Sequence, residues 1–223
     1  SGRVTGVQTC ALPISCIAWG LSPIVFKALT GVPPIEVIAH RTFWSCVFFL
    51  IVLLMQRQIS ALIRSFADVT RALTLIGAGA LVFGNWYLFV WAIQSGFATQ
   101  GALGFYIFPL VSVLFGRIFF AEVLHPTQWL AVGLATLAVC LLTYGLGVAP
   151  WISVVLAVCF GFYGMMKKRL DMPAMLSVTA EMMVLLPIAL GILWSMHRHE
   201  TAHFGAWDQN TALLIFSGPL TAI

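Results

Sequence analysis

ALTLIGAGALVFGNWYLFVWAIQSGFATQGALGFYIFPLVSVLFG fills positions 72–116, between Arg71 and Arg117, and none of its 45 residues is Asp, Glu, Lys or Arg. One helix crosses the hydrocarbon of a bilayer with about 20 residues. The stretch is therefore two crossings joined by a turn. Gln94-Ser95-Gly96-Phe97-Ala98 supplies that turn, because Gly punctuates helices. The 44 residues between Glu122 and Lys167 repeat the arrangement, broken in the middle by Gly145, Gly147 and Pro150. Working outward, further apolar segments give spans near 15–31, 34–55, 72–93, 98–120, 127–144, 150–167 and 173–196, and another starting near 211. The apolar runs are continuous rather than alternating at every second residue, which favours helices over a barrel.

Composition agrees with the spans. Of the 223 residues 61% are hydrophobic and 8% charged, with a mean hydropathy of +1.02. A soluble domain carries about 25% charged residues. Too few polar groups remain to coat a globule, which excludes a soluble enzyme, a nucleic-acid binder and a disordered regulator. The net charge of +4 does not point to nucleic acid, because the basic residues stand between apolar blocks rather than along one face. They report topology instead. With a cytoplasmic N-terminus, the inside loops hold Arg57, Arg64, Arg71, Arg117, Lys167, Lys168 and Arg169. Lys27 and Arg198 fall outside, and Arg41 lies within a span. That asymmetry is the positive-inside pattern.

Residues 4–14, VTGVQTCALPI, read as the in-frame translation of a common sequencing-library adapter, so 1–14 are expected to be non-native. The final segment reaches Ile223 after about 13 residues, ~20 Å at helical rise, so the expectation is a chain cut at both ends. Cys16, Cys46, Cys140 and Cys159 each sit alone in an apolar run, without a CxxC pair, and are expected to pack as small hydrophobes.

An internal correspondence runs through the chain. Trp19-Gly20 followed by Lys27 matches Phe160-Gly161 followed by Lys168, and Pro33 and Arg41 then fall on Pro173 and Glu181. Five spans separate the copies, and an odd number inserts the second copy upside down, as in the inverted repeats of secondary transporters. Chance sharing of Gly and aromatics between two apolar helices is the alternative.

Several motifs carry a resemblance. His40-Arg41-x-x-Trp44-Ser45, Gly84-Asn85-Trp86-x-x-Phe89-x-Trp91-Ala92, Leu103-Gly104-Phe105-Tyr106-Ile107-x-Pro109-Leu110, Phe119-x-x-Glu122 and Gln128-Trp129 resemble the RarD-type subgroup of EamA transporters, in the drug/metabolite transporter superfamily. The resemblance runs from about Cys16 to Ile223. Where that subgroup usually carries Glu, Ser and Asn in its fourth span, this chain has Gln100, Ala102 and Phe108. The resemblance implies ten spans in two five-helix repeats, an inner cavity and cytoplasmic termini. The expected fold is thus an all-α integral membrane bundle of inverted EamA-type repeats. Residues 15–146 would form a first repeat and 148–223 an incomplete second.

Candidate substrate-binding residues follow from charge and ring chemistry in the spans. A lone charge at the centre of a span costs from about 2.5 kcal/mol upward. Arg41 and Glu181 are such charges, ~10 Å and ~12 Å from opposite faces at 1.5 Å rise. They are expected to share a cavity as an ion pair that a proton or an anionic or zwitterionic substrate opens. Snorkelling of Arg41 and a protonated, helix-bonded Glu181 are the alternatives. Glu36 and His40, four residues apart, could form a pair at a mouth, although solvation at the interface is the favoured reading for Glu36. Asn85, beside Trp86, needs an interhelical bond or a substrate contact. Trp44 and Tyr106 offer rings for stacking or for packing. Pro109 removes a backbone hydrogen bond from its span. Glu122 is expected to serve a turn and helix start. His197, His199, Glu200 and His203 read as a wet loop, with no metal site.

The expected function is a secondary active or exchange transporter for small organic metabolites or drugs in the cell membrane. No cofactor is implied. The expected partners are a small-molecule substrate and the lipid bilayer, with homodimerisation allowed and no nucleic acid. A membrane-embedded enzyme for lipid-like substrates is the rival, but it needs several acids or histidines converging at one depth. An inactive fragment is the third reading.

Overall fold

The computed structural model describes residues 17, 19–121, 125–147, 150–199, 203–204 and 209–222. The adapter-like stretch 1–14, Cys16, Glu122 and Glu200 lie outside the described residues. Among the described residues the regular elements are helices: α1 (19–28), α2 (Pro34–Met55), α3 (Ile59–Ser65), α4 (Val69–Gln94), α5 (Ala98–Phe120), α6 (Pro126–Leu146), α7 (Trp151–Leu170), α8 (Ala174–Arg198) and α9 (Gln209–Ala222). Helices α2, α4, α5, α6, α7 and α8 are each long and apolar enough to cross a membrane. They fall on the six full-length spans counted in the sequence, and the chain is an all-α multi-pass membrane protein.

Local chemistry sets the helix starts. Pro34 opens α2 at a position where a missing N–H costs nothing. The Asp68 carboxylate accepts the Thr70 N–H at 3.0 Å and caps α4. At α6 the His125 N–H donates to Gln128 Oε1 at 2.8 Å, a reciprocal cap one residue before Pro126. Gly96, at φ 85°, makes the α4–α5 turn in a backbone region that side chains with a Cβ avoid. Helix α3 departs from the sequence reading, which left the region as loop. Its seven residues are too few to register as a span, yet Leu62 and Ser65 are buried and hold it in place.

The chain forms two compact units, Ser1–Ser60 with Met182–Ile223, and Ala61–Glu181. In the first, α2 packs on α9. The approach is close enough that a Cβ at Gly218 would stand 2.7 Å from Ser45 N and Trp44 Cβ, and Ser45 Oγ donates to Gly218 O at 3.1 Å. Such small-residue contacts drive helix pairing where lipid removes the hydrophobic incentive.

In the second unit α5 and α4 both pack on α7. A Cβ on Gly161 would stand 2.8 Å from Val111 Cγ1, so the α5–α7 crossing is equally tight. Helix α6 lies beside α5 with no residue buried along its span, and Leu130, Leu134, Leu137 and Leu141 are exposed. Such a surface suits acyl chains rather than water. Cys140 is exposed on this helix, against the expectation that it packs inside; Cys46 is buried and Cys159 half-buried.

Candidate functional site

Two polar clusters lie among the apolar helices, one in each unit. In the second unit Tyr163 and Lys167 stand one turn apart near the end of α7, and Ser177 and Glu181 one turn apart on α8. Glu181 is fully buried. Its Oε1 accepts from Lys167 Nζ at 3.0 Å and from Ser177 Oγ at 2.9 Å, and its Oε2 accepts from Tyr163 OH at 2.9 Å. Lys167 Nζ also donates to Ser177 Oγ at 2.7 Å. An ionised carboxylate only accepts hydrogen bonds, and here both oxygens are supplied. A buried charge so paired is tolerated, whereas either charge alone would be costly.

The sequence reading gave Glu181 a cation, Arg41, and read Lys167 only as a topology marker. The cation bonded to Glu181 in its own unit is Lys167, and Tyr163 and Ser177 were not singled out. The signal was present in two i,i+4 pairs of polar groups at the adjoining ends of consecutive spans.

In the first unit Glu36 is fully buried, not solvated as expected. Its carboxylate accepts the His203 backbone N–H at 2.7 Å, and His203 Nδ1 lies 3.0 Å from Oε2. With Glu36 ionised, Nδ1 carries the proton. His203 was read as part of a wet loop, but its backbone and ring meet α2 across 167 positions of sequence. The next residue, Phe204, stacks on His40 with ring centroids 4.5 Å apart. His40, Phe43 and Trp44 of α2, with Leu190, Trp194 and His197 of α8 and with Phe204, line a cavity of about 690 Å³. His40 is 5% exposed, and its Nδ1, like Trp44 Nε1, has no hydrogen-bond partner among the described residues. A buried polar group left unbonded costs about 1–3 kcal/mol. Arg41 is buried on the same helix.

The remaining expected site residues belong to the second unit. Asn85 Nδ2 donates to the Leu156 carbonyl at 2.9 Å, the interhelical bond of the two readings offered for it. Trp86 is buried and meets Phe89 edge-on at 5.6 Å. Tyr106 is exposed beside Leu141 and Leu142 in a hollow of about 390 Å³ between α5 and α6. Ser153 Oγ donates to the Gln100 carbonyl at 2.7 Å, while Gln100 Oε1 is buried without a partner among the described residues. Among the described residues no cluster of three or more His, Cys, Asp or Glu could hold a metal.

Residues 9–144 match the EamA-like transporter family. The chain is 39% identical over 215 residues to the uncharacterized transporter YojE of Bacillus subtilis, covering 94% of this chain and 71% of that protein. It is 34% identical over 206 residues to protein RarD of Escherichia coli, covering 92% and 70%. The chloramphenicol-sensitive protein RarD of Pseudomonas aeruginosa is 31% identical over 196 residues, covering 86% and 66%. No solved structure matches the chain.

Proposed function

The chain belongs to the EamA-like transporter family, and we propose that it is a secondary carrier of small organic metabolites or drugs, coupled through Glu181, rather than an enzyme. The observation that carries this reading is the fully buried Glu181 carboxylate, bonded to Lys167, Ser177 and Tyr163 within apolar helices. Apolar residues of equal volume would hold α7 against α8 at no electrostatic cost, so a structural purpose alone does not call for ions here. A network that exchanges its internal cation for a proton supplies a reason. When Glu181 takes up a proton its hold on Lys167 is released, and when it loses the proton the pair re-forms, so a proton selects between two states of the network. The excess of basic residues in alternate loops supports a cytoplasmic N-terminus in a cell or inner membrane.

The test is transport in proteoliposomes with an imposed pH gradient. Radiolabelled chloramphenicol is the first probe, because one relative bears it in its name. The chain is expected to accumulate the probe above protein-free vesicles and to return it chemically unchanged. Glu181→Gln is expected to lose gradient-driven accumulation while keeping exchange between labelled and unlabelled probe. A chemically altered probe, or accumulation in the variant equal to that of the parent, overturns the reading.

A further inference from the structure

We propose that the cavity between α2, α8 and Phe204 is a binding site for a planar aromatic molecule that carries a hydrogen-bond acceptor such as a carboxylate or carbonyl oxygen. This rests on the carrier reading and names its substrate class. Two groups of the cavity wall are orphaned. His40 and Trp44 stand one turn apart on α2 and both line the cavity, and each has a ring nitrogen shielded from water with no hydrogen-bond partner among the described residues. A bilayer acyl chain could fill such a space, but it has no atom for either nitrogen. The indole N–H of Trp44 only donates, so its partner must be an acceptor. His40 Nδ1 takes either role according to its tautomer, and asks for an acceptor too when it carries the proton.

The rest of the wall sets the shape of the ligand. Phe43, Trp44, Trp194 and Phe204 contribute rings to the wall of this open space, and rings favour offset stacking on a flat aromatic ligand. Its volume of about 690 Å³ falls within the ~300–1,000 Å³ range of small-molecule sites. Phe204 forms one wall. It stacks on His40, and its neighbour His203 is tied to the buried Glu36 carboxylate by a backbone N–H and a ring nitrogen. The Glu36–His203 clasp therefore holds Phe204 next to the ring on which it stacks, that of His40. A ligand that enters replaces the Phe204 stack with its own ring.

Calorimetric titration of the full chain in lipid nanodiscs tests this, with empty nanodiscs as the partition control. Three probes separate the requirements: indole-3-acetate has the ring and the acceptor, 3-methylindole lacks the carboxylate, and cyclohexylacetate lacks the aromatic face. Saturable binding is expected for indole-3-acetate, with at least tenfold weaker binding of the other two. Trp44→Phe keeps a ring and removes the N–H, and is expected to weaken indole-3-acetate about tenfold, the equivalent of one hydrogen bond. Glu36→Gln loosens the clasp without touching the cavity wall, and is expected to speed both association and dissociation. Equal affinity for all three probes would make the space a lipid groove and overturn the proposal, as would parental affinity in Trp44→Phe. Saturable binding without gradient-driven uptake would sink the carrier reading while the site stood. Uptake without binding would do the reverse.

Discussion

Single residues show where sequence reading reaches and where it stops. Glu181 stood out because an acid inside an apolar run is expensive, and that cost is visible without coordinates. The part Lys167 plays beside it was not visible, because Lys167 sits in the basic group at the end of α7, where a topological role already explained it. A side chain about 6 Å long can turn back into its own helix bundle, and only tertiary packing decides whether it does. Glu36 was misread for a related reason. Its position two residues into α2 implies solvent, until residue 203 is placed over it.

The Lys167–Glu181 bridge makes a prediction at this scale. Lys167→Met leaves Glu181 charged and buried, and should cost about 3 kcal/mol, the low end of the ~3–5 kcal/mol for breaking a buried pair, because the Lys167 side chain is 21% exposed. Adding Glu181→Gln removes the stranded charge and should recover more than half of that loss. Thermal unfolding in detergent of both single variants and the double variant closes the cycle. Additive losses would show that the two side chains do not act as a pair.

At the scale of elements, the spans were legible because their signal is length. Twenty apolar residues without a charge have few other structural solutions in a bilayer, and the sequence boundaries fall within a few residues of α2 and α4–α8. Helix α3 escaped because seven residues carry too little of that signal. The closeness of α2 to α9 escaped as well. A Gly in an apolar run does not say which helix it admits, and Gly218 admits the backbone of Ser45.

Gly218→Ala should therefore separate two effects that helix propensity alone would merge. The added Cβ meets backbone and Trp44 Cβ at 2.7 Å, so α9 must shift, and overpacking of this kind costs about 1–3 kcal/mol. Gly133→Ala on α6 meets nothing within 4 Å and should be neutral, or stabilising by up to ~1 kcal/mol through helix propensity. A drop in melting temperature for the first and not the second is the expected result in thermal scans. Equal responses would mean that the α2–α9 crossing is looser than its geometry states.

For the molecule as a whole, the decisive quantity is the parity of crossings within the second unit. Between Arg64 and Arg169 the chain runs through α4, α5, α6 and α7, each long and apolar enough to cross, and with all four crossing these residues return to one side of the bilayer. Arg117, after two crossings, shares that side, and Gly96, after one, lies opposite. Parity does not choose which side is the cytoplasm. The positive-inside rule proposes the side of Arg64, Arg117 and Arg169, since the Gly96 turn carries no charge. The same arithmetic underlies the inverted repeat expected from the sequence, where an odd count of five spans would reverse the second copy. In a cysteine-free background, Arg64→Cys, Arg117→Cys and Arg169→Cys should resist a membrane-impermeant maleimide added to intact cells and react after permeabilisation. Gly96→Cys should react in intact cells. Labelling of Arg64→Cys and Arg169→Cys from opposite sides would mean that one of the four helices does not cross, and α6, with no residue of its span buried, would be the first to reassign to the membrane surface.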